Sequence, residues 1–239
     1  MAPADQIINV VKRGSRGKEI LNIEKIHDMV EYAVEDIKGV SSSQIEMNSG
    51  LQFYDGMSTD EIQQILIKSA ADLISLENPN YQYVAARLLL YSLRKQVIGK
   101  LWDHPHIYDH VKKAVDKKDF DRMENWINHE RDYTFTYAGL RQVIDKYLVQ
   151  DRSSGDIFET PQFMYMMIAA TVFAQYPKNK RMSYVKKYYD AISTFKINIP
   201  TPVMAGVRTP IRQYASCVLV DVDDTLPSIF SSDMAIGRY

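Results

Sequence analysis

Two groups of residues in this chain could carry chemistry. Cations stand at Lys12, Arg13, Lys25 and Lys95, and Cys217 is the only cysteine. Cations that converge from different elements, together with helix N-termini, can hold a polyphosphate. A thiol can form a disulfide when a second sulfur lies about 2.05 Å away. These residue types are compatible with a polyphosphate site and with one half of a redox site.

Each group also has a simpler interpretation. Charged residues at these spacings are typical of a solvated surface. A lone cysteine is commonly a small buried apolar residue with a weak S–H donor. Spacing and residue type alone favour these simpler interpretations, so the surrounding sequence has to decide.

Composition narrows the function classes. The chain has 29 basic and 30 acidic residues and a net charge of −1, so nothing favours nonspecific nucleic-acid binding. Its apolar and charged fractions are typical of a soluble globular protein. One cysteine excludes a disulfide scaffold and favours a reducing compartment. The N-terminus has no signal-peptide pattern, and the longest apolar-rich stretch, Phe163 to Ala174, is too short for a bilayer. We expect a cytoplasmic protein without nucleic-acid or membrane partners.

The N-terminal sequence predicts a β-hairpin that leads into a helix. Ile7–Val11 and Glu19–Leu21 have extended patterns, and Gly14–Gly17 supplies the turn. Asn22 is a good helix N-cap. The helix that follows has an apolar stripe at Ile23, Ile26, Val30, Ala33, Val34 and Ile37.

Further helices follow in this first part of the chain. A short one is predicted at Ser43–Asn48, and Ser58 to Glu61 has the spacing of a capping box. Pro79 opens a helix over Tyr81–Ile98. Residues up to about 98 therefore predict a compact helical unit capped by a hairpin.

The remaining sequence is predicted to be mostly helical. A linker at 101–105 precedes helices near 108–115, 121–128, 137–147, 161–174, 180–195 and 228–239. A second hairpin is expected over 146–159, with its turn at Ser153–Gly155, and Val218–Val220 predicts a strand. His104, His106 and His110 superficially suggest a metal site. Zinc and iron sites usually add cysteine or carboxylate ligands with supporting hydrogen bonds, and Pro105 at a linker favours the surface interpretation. We expect no metal in this chain.

Several motifs from Ile8 to Ile98 resemble the ATP-cone domain, the regulatory cap of ribonucleotide reductases. They are the runs 10–13 (VVKR), 19–25 (EILNIEK), 54–62 (YDGMSTDEI) and 81–87 (YQYVAAR). The resemblance implies an allosteric activity site for ATP or dATP, in which cations hold phosphates while Glu19 and Asn22 contact the nucleoside. Gln63 stands where many members have a histidine. By position, the implied site residues are Val10, Lys12, Arg13, Glu19, Ile20, Leu21, Asn22, Ile23, Glu24, Lys25, Thr59 and Lys95.

Later motifs resemble the class I ribonucleotide reductase large subunit, of phage or bacterial type. They are the runs 129–137, 146–150, 159–163, 195–200 and 200–217. The resemblance implies that Cys217 is catalytic, as substrate-facing reductant and proton donor, and that Thr201 and Ser216 bind a nucleoside diphosphate beside it. Asp224, Thr225 and Leu226 match the start of the loop that binds a specificity effector. In isolation, Asp223 and Asp224 could be turn residues at the end of a strand or a weak metal site, and the turn is favoured.

The resemblance also implies an architecture. The fold class is mainly α with small β elements. An ATP-cone at 7–98 precedes a helical domain at 99–200 and an incomplete start of the catalytic barrel at 201–239, including its first strand.

Finally, the resemblance implies partners. The family's radical cysteine, second reducing cysteine and shuttle cysteines have no counterpart here, because Cys217 is alone. We therefore expect an oligomeric N-terminal component, split or truncated, that reduces ribonucleoside diphosphates only with a complementing C-terminal chain. It also needs a small subunit carrying a di-metal tyrosyl radical, and thioredoxin or glutaredoxin as reductant. The alternative is a non-catalytic regulatory fragment that binds ATP or dATP. A cone-bearing transcriptional repressor is disfavoured because its four zinc-binding cysteines are missing.

Overall fold

The first described element is an antiparallel hairpin. The computed structural model describes residues 8–12, 17–50, 52–97, 109–211 and 213–239. Strands β1 (Asn9–Val11) and β2 (Lys18–Ile20) pair with Val10 opposite Glu19. At the end of the turn, Gly17 has φ 99°, a left-handed conformation that favours glycine. The predicted hairpin is confirmed, although Ile7 and residues 14–16 lie outside the described part.

Two capped helices begin beside this hairpin. Helix α1 (Ile23–Val34) starts three residues after β2, and the Asn22 side chain accepts a hydrogen bond from the Lys25 backbone N–H at 3.1 Å. Before helix α3 (Thr59–Asp72), Ser58 and Glu61 form the reciprocal capping box, with distances of 3.1 and 2.7 Å. Ser58 also bridges to β1 at Val11. Both predicted caps are confirmed, and together they direct two helix N-termini toward the hairpin.

Helices α2 (Ser42–Gly50) and α4 (Tyr81–Gln96) complete the N-terminal unit, by which we mean residues 8–97. Helix α3 packs along α4, and both contribute buried residues to the core. The predicted apolar stripe of α1 is wrong at its ends. Ile23 is 72% exposed, and Ile37 lies beyond the helix because α1 ends at Val34, shortly before Asp36 at φ 60°.

The described residues after 108 are mostly helical, and a central helix lies among them. Every residue from Pro161 to Ala170 in α8 (Pro161–Val172) is buried. A 3₁₀ segment, His129–Thr134, packs on both α4 and α8, and α7 (Tyr137–Gln142) also packs on α4. The buried residues around α8, called here the second core, are therefore continuous with those of the N-terminal unit. The other elements are α5 (Asp109–Lys112), α6 (Lys117–Trp126), a π-helical turn at Val143–Tyr147, α9 (Lys178–Ser193), α10 (Thr201–Gly206) and α11 (Leu226–Arg238). The fold class, mainly α with small β elements, is confirmed.

The predicted second hairpin is confirmed around its turn but wrong in its extent. An antiparallel bridge joins Gln150 to Ile157, with backbone hydrogen bonds from the Phe158 N–H to the Val149 carbonyl at 3.0 Å and from the Asp151 N–H to the Asp156 carbonyl at 2.8 Å. The expected first strand is π-helical up to Tyr147, and beyond the bridge side chains bond the backbone instead of a strand ladder. The Glu159 carboxylate accepts from the Val149 N–H at 2.8 Å, and Arg208 donates to the Tyr147 carbonyl at 2.8 Å.

The predicted strand at Val218–Val220, which would begin the barrel, is also wrong. These residues are irregular, and Leu219 is fully exposed. Among the described residues this run pairs with no strand, and a strand without partners is not stable. No helix in the described ranges is long and apolar enough to cross a membrane.

Candidate nucleotide-binding site

A cavity of about 420 Å³ opens where the hairpin meets α1, α3 and α4. Each of these elements contributes side chains because both helix N-termini and the end of α4 converge there. The cavity is lined by Val10, Lys12, Glu19, Leu21, Asn22, Lys25, Ile26, Asp28, Met29, Tyr32, Thr59, Ile62, Gln63, Tyr91 and Lys95.

Three lysines reach this cavity from three different elements. Lys12 follows β1, Lys25 lies in the first turn of α1, and Lys95 lies in the last turn of α4. The ammonium of Lys95 sits 4.2 Å from the centroid of the Tyr91 ring, a cation–π contact one helical turn away. Such convergence of cations is what a polyphosphate requires, since each phosphate adds negative charge.

Glu19 balances one of the lysines. Its carboxylate lies 2.5 Å from the Lys12 ammonium across the hairpin. This hydrogen bond lowers the pKa of Glu19 below its ordinary value, and the charge of Lys25 acts in the same direction. Glu19 is therefore an ionised acceptor that can receive hydrogen bonds from a ligand while it orients Lys12.

The two helix N-termini add donors to the cavity. Asn22 caps α1 and Thr59 is the first residue of α3, and both line the cavity. The first N–H groups of a helix have no intrahelical acceptor, and they carry the positive end of the helix dipole. The positive ends of two helix dipoles therefore act with the ammonium groups to favour an anion in this cavity.

The remaining wall is apolar and aromatic. Val10 and Ile62 are buried, and Tyr32 and Tyr91 present rings. Gln63 is buried and donates to the Leu88 carbonyl of α4 at 3.0 Å, which fixes its amide at the cavity wall. The cavity thus has one cationic side, which suits phosphates, and one apolar side with aromatic rings, which suits a base.

Several predicted activity-site residues do not line the cavity. Ile20 and Ile23 are 64% and 72% exposed, and Glu24 is also exposed. Arg13 lies outside the described residues. The structure brings together eight of the twelve predicted residues: Val10, Lys12, Glu19, Leu21, Asn22, Lys25, Thr59 and Lys95.

Sequence reasoning missed the aromatic wall. Lys25, Met29 and Tyr32 follow one another at spacings of four and three residues, so they share a face of α1. Tyr91 precedes Lys95 by one turn of α4 in the same way. Helical spacing from the predicted lysines was the signal that could have found both tyrosines.

The predicted substrate residues lie elsewhere. Thr201 is half-buried at the start of α10, where its hydroxyl meets the Tyr147 hydroxyl at 3.2 Å. Ser216 and Cys217 are exposed in the irregular run before α11, with Ser216 Oγ 3.9 Å from Cys217 Sγ. The interpretation of Cys217 as a buried apolar residue is therefore wrong.

The predicted specificity residues begin α11. Thr225 is its N-cap and accepts from the Ser228 N–H at 3.3 Å, and Leu226 is the first helical residue and is exposed. Asp224 is exposed just before them. Among described residues, no group of three or more His, Cys, Asp or Glu side chains could hold a metal ion. His104 and His106, as well as the side chain of His110, lie outside the described part.

Comparisons with known proteins find a family match in each of two parts of the chain. The ATP cone domain family matches residues 8–96, and the ribonucleotide reductase all-alpha domain family matches residues 133–212. The ribonucleoside-diphosphate reductase subunit alpha of Haemophilus influenzae is 47% identical, over 96% of this chain and 32% of that protein.

Two further relatives agree. Subunit alpha of ribonucleoside-diphosphate reductase 1 from Escherichia coli is 46% identical, over 98% of this chain and 32% of that protein. Ribonucleoside-diphosphate reductase subunit alpha of Enterobacteria phage T4 is 40% identical, again over 98% of this chain and 32% of that protein. The chain belongs to the ribonucleotide reductase large-subunit family. It spans about a third of the length of these relatives and corresponds to their N-terminal portion.

Proposed function

We propose that the cavity of the N-terminal unit binds ATP or dATP as an allosteric effector. In this reductase component, Lys12, Lys25 and Lys95 bind the phosphates, while Glu19 and Asn22 contact the nucleoside. The observation that carries the proposal is the convergence of three lysines and two helix N-termini on one cavity. The ATP cone match over residues 8–96 supports it.

Nucleotide binding to the 239-residue chain tests this proposal directly. We expect ATP and dATP to bind in isothermal titration calorimetry. Lys25→Ala and Lys95→Ala should each weaken binding about 10- to 100-fold, since a hydrogen bond to a charged group contributes about 1.5–3 kcal/mol. Lys118→Ala, an exposed lysine of α6 outside the cavity, is the matched control and should bind like wild type. Wild-type affinity in both cavity variants would refute the site.

We further propose that the chain contributes to the reduction of ribonucleoside diphosphates to deoxyribonucleoside diphosphates. In this reaction Cys217 is one of two thiols that become a disulfide. The pair supplies two electrons and two protons, and the 2′-hydroxyl of the ribose leaves as water. Cys217 is exposed, which supports its accessibility to a partner sulfur. Thr201 and Ser216 bind the diphosphate substrate next to it, and Asp224, Thr225 and Leu226 bind the specificity effector.

The second thiol and the radical come from partners. A complementing C-terminal chain supplies the sulfur, the small subunit supplies its di-metal tyrosyl radical, and thioredoxin or glutaredoxin reduces the disulfide. The active assembly is an oligomer, and domain borders at 98 and 200 separate its cone, helical and barrel portions.

Complementation tests this second proposal. The chain is combined with the C-terminal two thirds of a relative and a small subunit, and deoxyribonucleoside diphosphate formation is measured. We expect activity in the combination, none for this chain alone, and loss of activity in Cys217→Ser with ATP affinity unchanged. An active Cys217→Ser assembly would contradict the role of the thiol. ATP binding without any complementation would favour the non-catalytic regulatory fragment.

A further inference from the structure

Tyr32 belongs both to the cavity wall and to a contact that leaves the N-terminal unit. Its ring lines the cavity, and its hydroxyl meets the hydroxyl of Tyr133 in the 3₁₀ segment His129–Thr134. The two rings pack edge to face with centroids 6.4 Å apart. Tyr133 itself is not among the described residues that line the cavity. A side chain of the second core therefore touches the wall of the nucleotide site without reaching its interior.

Two arginines of α4 hold the Tyr133 ring in place. The guanidinium carbons of Arg87 and Arg94 each lie 5.2 Å from its centroid. Arg87 also donates to the Glu35 carbonyl at 2.5 Å, while Arg94 donates to the His129 carbonyl at 2.6 Å. Arg94 also donates to the Tyr133 hydroxyl itself at 3.2 Å, so the position of that hydroxyl is well defined.

The 3₁₀ segment is also bonded to the second core. Asp132, next to Tyr133, is buried and accepts from the Gln162 amide of α8 at 2.8 Å. The Gln162 carbonyl oxygen in turn accepts from the Tyr189 hydroxyl of α9 at 2.7 Å. A change in the packing of this segment would therefore alter hydrogen bonds to α8 and α9.

We propose that Tyr133 positions Tyr32 in the cavity wall, so that nucleotide binding and the packing of the 3₁₀ segment are coupled. This inference rests on the proposed nucleotide function of the cavity. In this proposal the protein has two arrangements, a closed one in which the hydroxyls of Tyr32 and Tyr133 are in contact and an open one in which they are apart. Nucleotide binds better to the closed arrangement, because the Tyr32 ring is then already fixed in place and loses less freedom on binding. Coupling between two events is reciprocal, so bound nucleotide also stabilises the closed pair and with it the 3₁₀ segment.

Tyr133→Phe is the informative variant, because it removes one hydroxyl outside the cavity and leaves the ring between the two arginines. We expect the dissociation constant for ATP to rise about three- to tenfold, because the hydroxyl that bonds Tyr32 and accepts from Arg94 at 3.2 Å is lost. Tyr32→Phe should weaken binding by a similar factor. The double variant should bind ATP no more weakly than the weaker single variant, since both substitutions break the same contact between the two hydroxyls. Tyr184→Phe, an exposed tyrosine of α9, is the control and should bind like wild type.

Hydrogen exchange measures the reverse direction of the coupling. Saturating ATP should slow amide exchange in residues 129–134 of the wild-type chain at least about threefold, and it should not do so in Tyr133→Phe. A tyrosine with a purely structural role would change exchange equally with and without ATP.

The outcomes separate this coupling from the function on which it rests. The coupling is overturned if Tyr133→Phe binds ATP with wild-type affinity, or if ATP does not change the rate of amide exchange at residues 129–134. Neither result would contradict the proposed nucleotide site. A wild-type chain that binds no ATP overturns both. Circular dichroism verifies that each variant is folded. If Tyr133→Phe does not fold, the ATP affinity of Tyr32→Phe replaces it in the binding test. The effect of ATP on amide exchange in the wild-type chain then tests the reverse direction of the coupling.

Discussion

The two predicted sites differ in how the surrounding structure encloses them. One lies in the N-terminal unit, and the other lies in the exposed run at 213–225, called here the C-terminal segment. In the first, Lys12, Lys25 and Lys95 are brought to one cavity by elements that contact each other. In the second, Ser216 and Cys217 are exposed on irregular backbone. A site is held in its binding geometry when the elements that carry it pack on one another, and this holds for the first region alone of the two. We therefore expect the two regions to respond differently to substitution.

The largest expected effect comes from a buried ion pair that supports the elements leading to the C-terminal segment. Arg208 forms a bidentate contact with Glu159, and both side chains are fully buried. Glu159→Gln removes the carboxylate from a buried guanidinium, so we expect the free energy of unfolding to fall by about 3–5 kcal/mol in urea denaturation. ATP affinity of the folded variant should stay within about twofold of wild type, because the pair lies outside the cavity.

Its matched control is the exposed pair of Arg122 and Asp119, 3.3 Å apart in α6. Asp119→Asn should cost less than about 1 kcal/mol. Equal losses in the two variants would show that burial does not distinguish the pairs. A large loss of ATP affinity in Glu159→Gln would contradict the expectation that the two regions respond independently to substitution.

The second effect concerns the core between the two regions and depends on pH. Burial raises the pKa of Asp132 from 3.8 to about 6, against the opposing effects of Gln162 and Arg94. The folded state therefore retains a proton that the unfolded state loses, and the resulting stability is present below pH 4 and lost as the pH rises through 6. Burial lowers the pKa of nearby His129 to about 4, which has the opposite sign and masks the effect in wild type.

Asp132→Asn removes this titration. Relative to wild type, the free energy of unfolding of the variant should rise between pH 4 and pH 6 by up to about 3 kcal/mol, at 1.36 kcal/mol per pKa unit. Urea denaturation at several pH values measures this difference. A difference that is constant from pH 4 to pH 7 would show that Asp132 titrates alike in both states.

A smaller effect tests how the N-terminal cavity is built. Ser58→Ala breaks the capping box that starts α3, and we expect a loss of about 1 kcal/mol in the free energy of unfolding. ATP affinity should fall as well, because the first turn of α3 forms part of the cavity. Ser42→Ala, at the start of α2 and away from the cavity, is the control for nucleotide binding. An ATP affinity equal to wild type in Ser58→Ala would place the start of α3 outside the site.

The smallest effect is expected at Cys217. Cys217→Ser should change the free energy of unfolding by no more than about 0.5 kcal/mol, because the side chain is exposed. In the native wild-type chain, we expect a thiol reagent to modify one equivalent at a rate close to that of the denatured chain. Strong protection of the thiol would contradict the contrast between an enclosed and an open site.

Local chemistry allowed part of this fold to be predicted. Asn22, Ser58 and Glu61 act through hydrogen bonds to backbone three residues away, so a few positions of sequence suffice to recognise them. The first hairpin is similarly local. The second hairpin is shorter than predicted because the Glu159 side chain bonds the Val149 N–H and the distant Arg208 bonds the Tyr147 carbonyl, in place of a partner strand. The strand at 218–220 failed because an extended run needs a partner to become a strand.

By itself, the sequence determined the helical class, the two caps beside the cavity and the residue types that could bind a nucleotide. These depend on periodicity, local hydrogen bonds and charge. Helical spacing indicates that Tyr32 and Tyr91 each share a helix face with a lysine. The tertiary structure was needed to show that these faces meet at one cavity and that Tyr133 touches its wall from outside, because these contacts join residues about 60 to 100 positions apart. It also decided that Cys217 is exposed, since burial depends on what packs against a residue and not on the residue type.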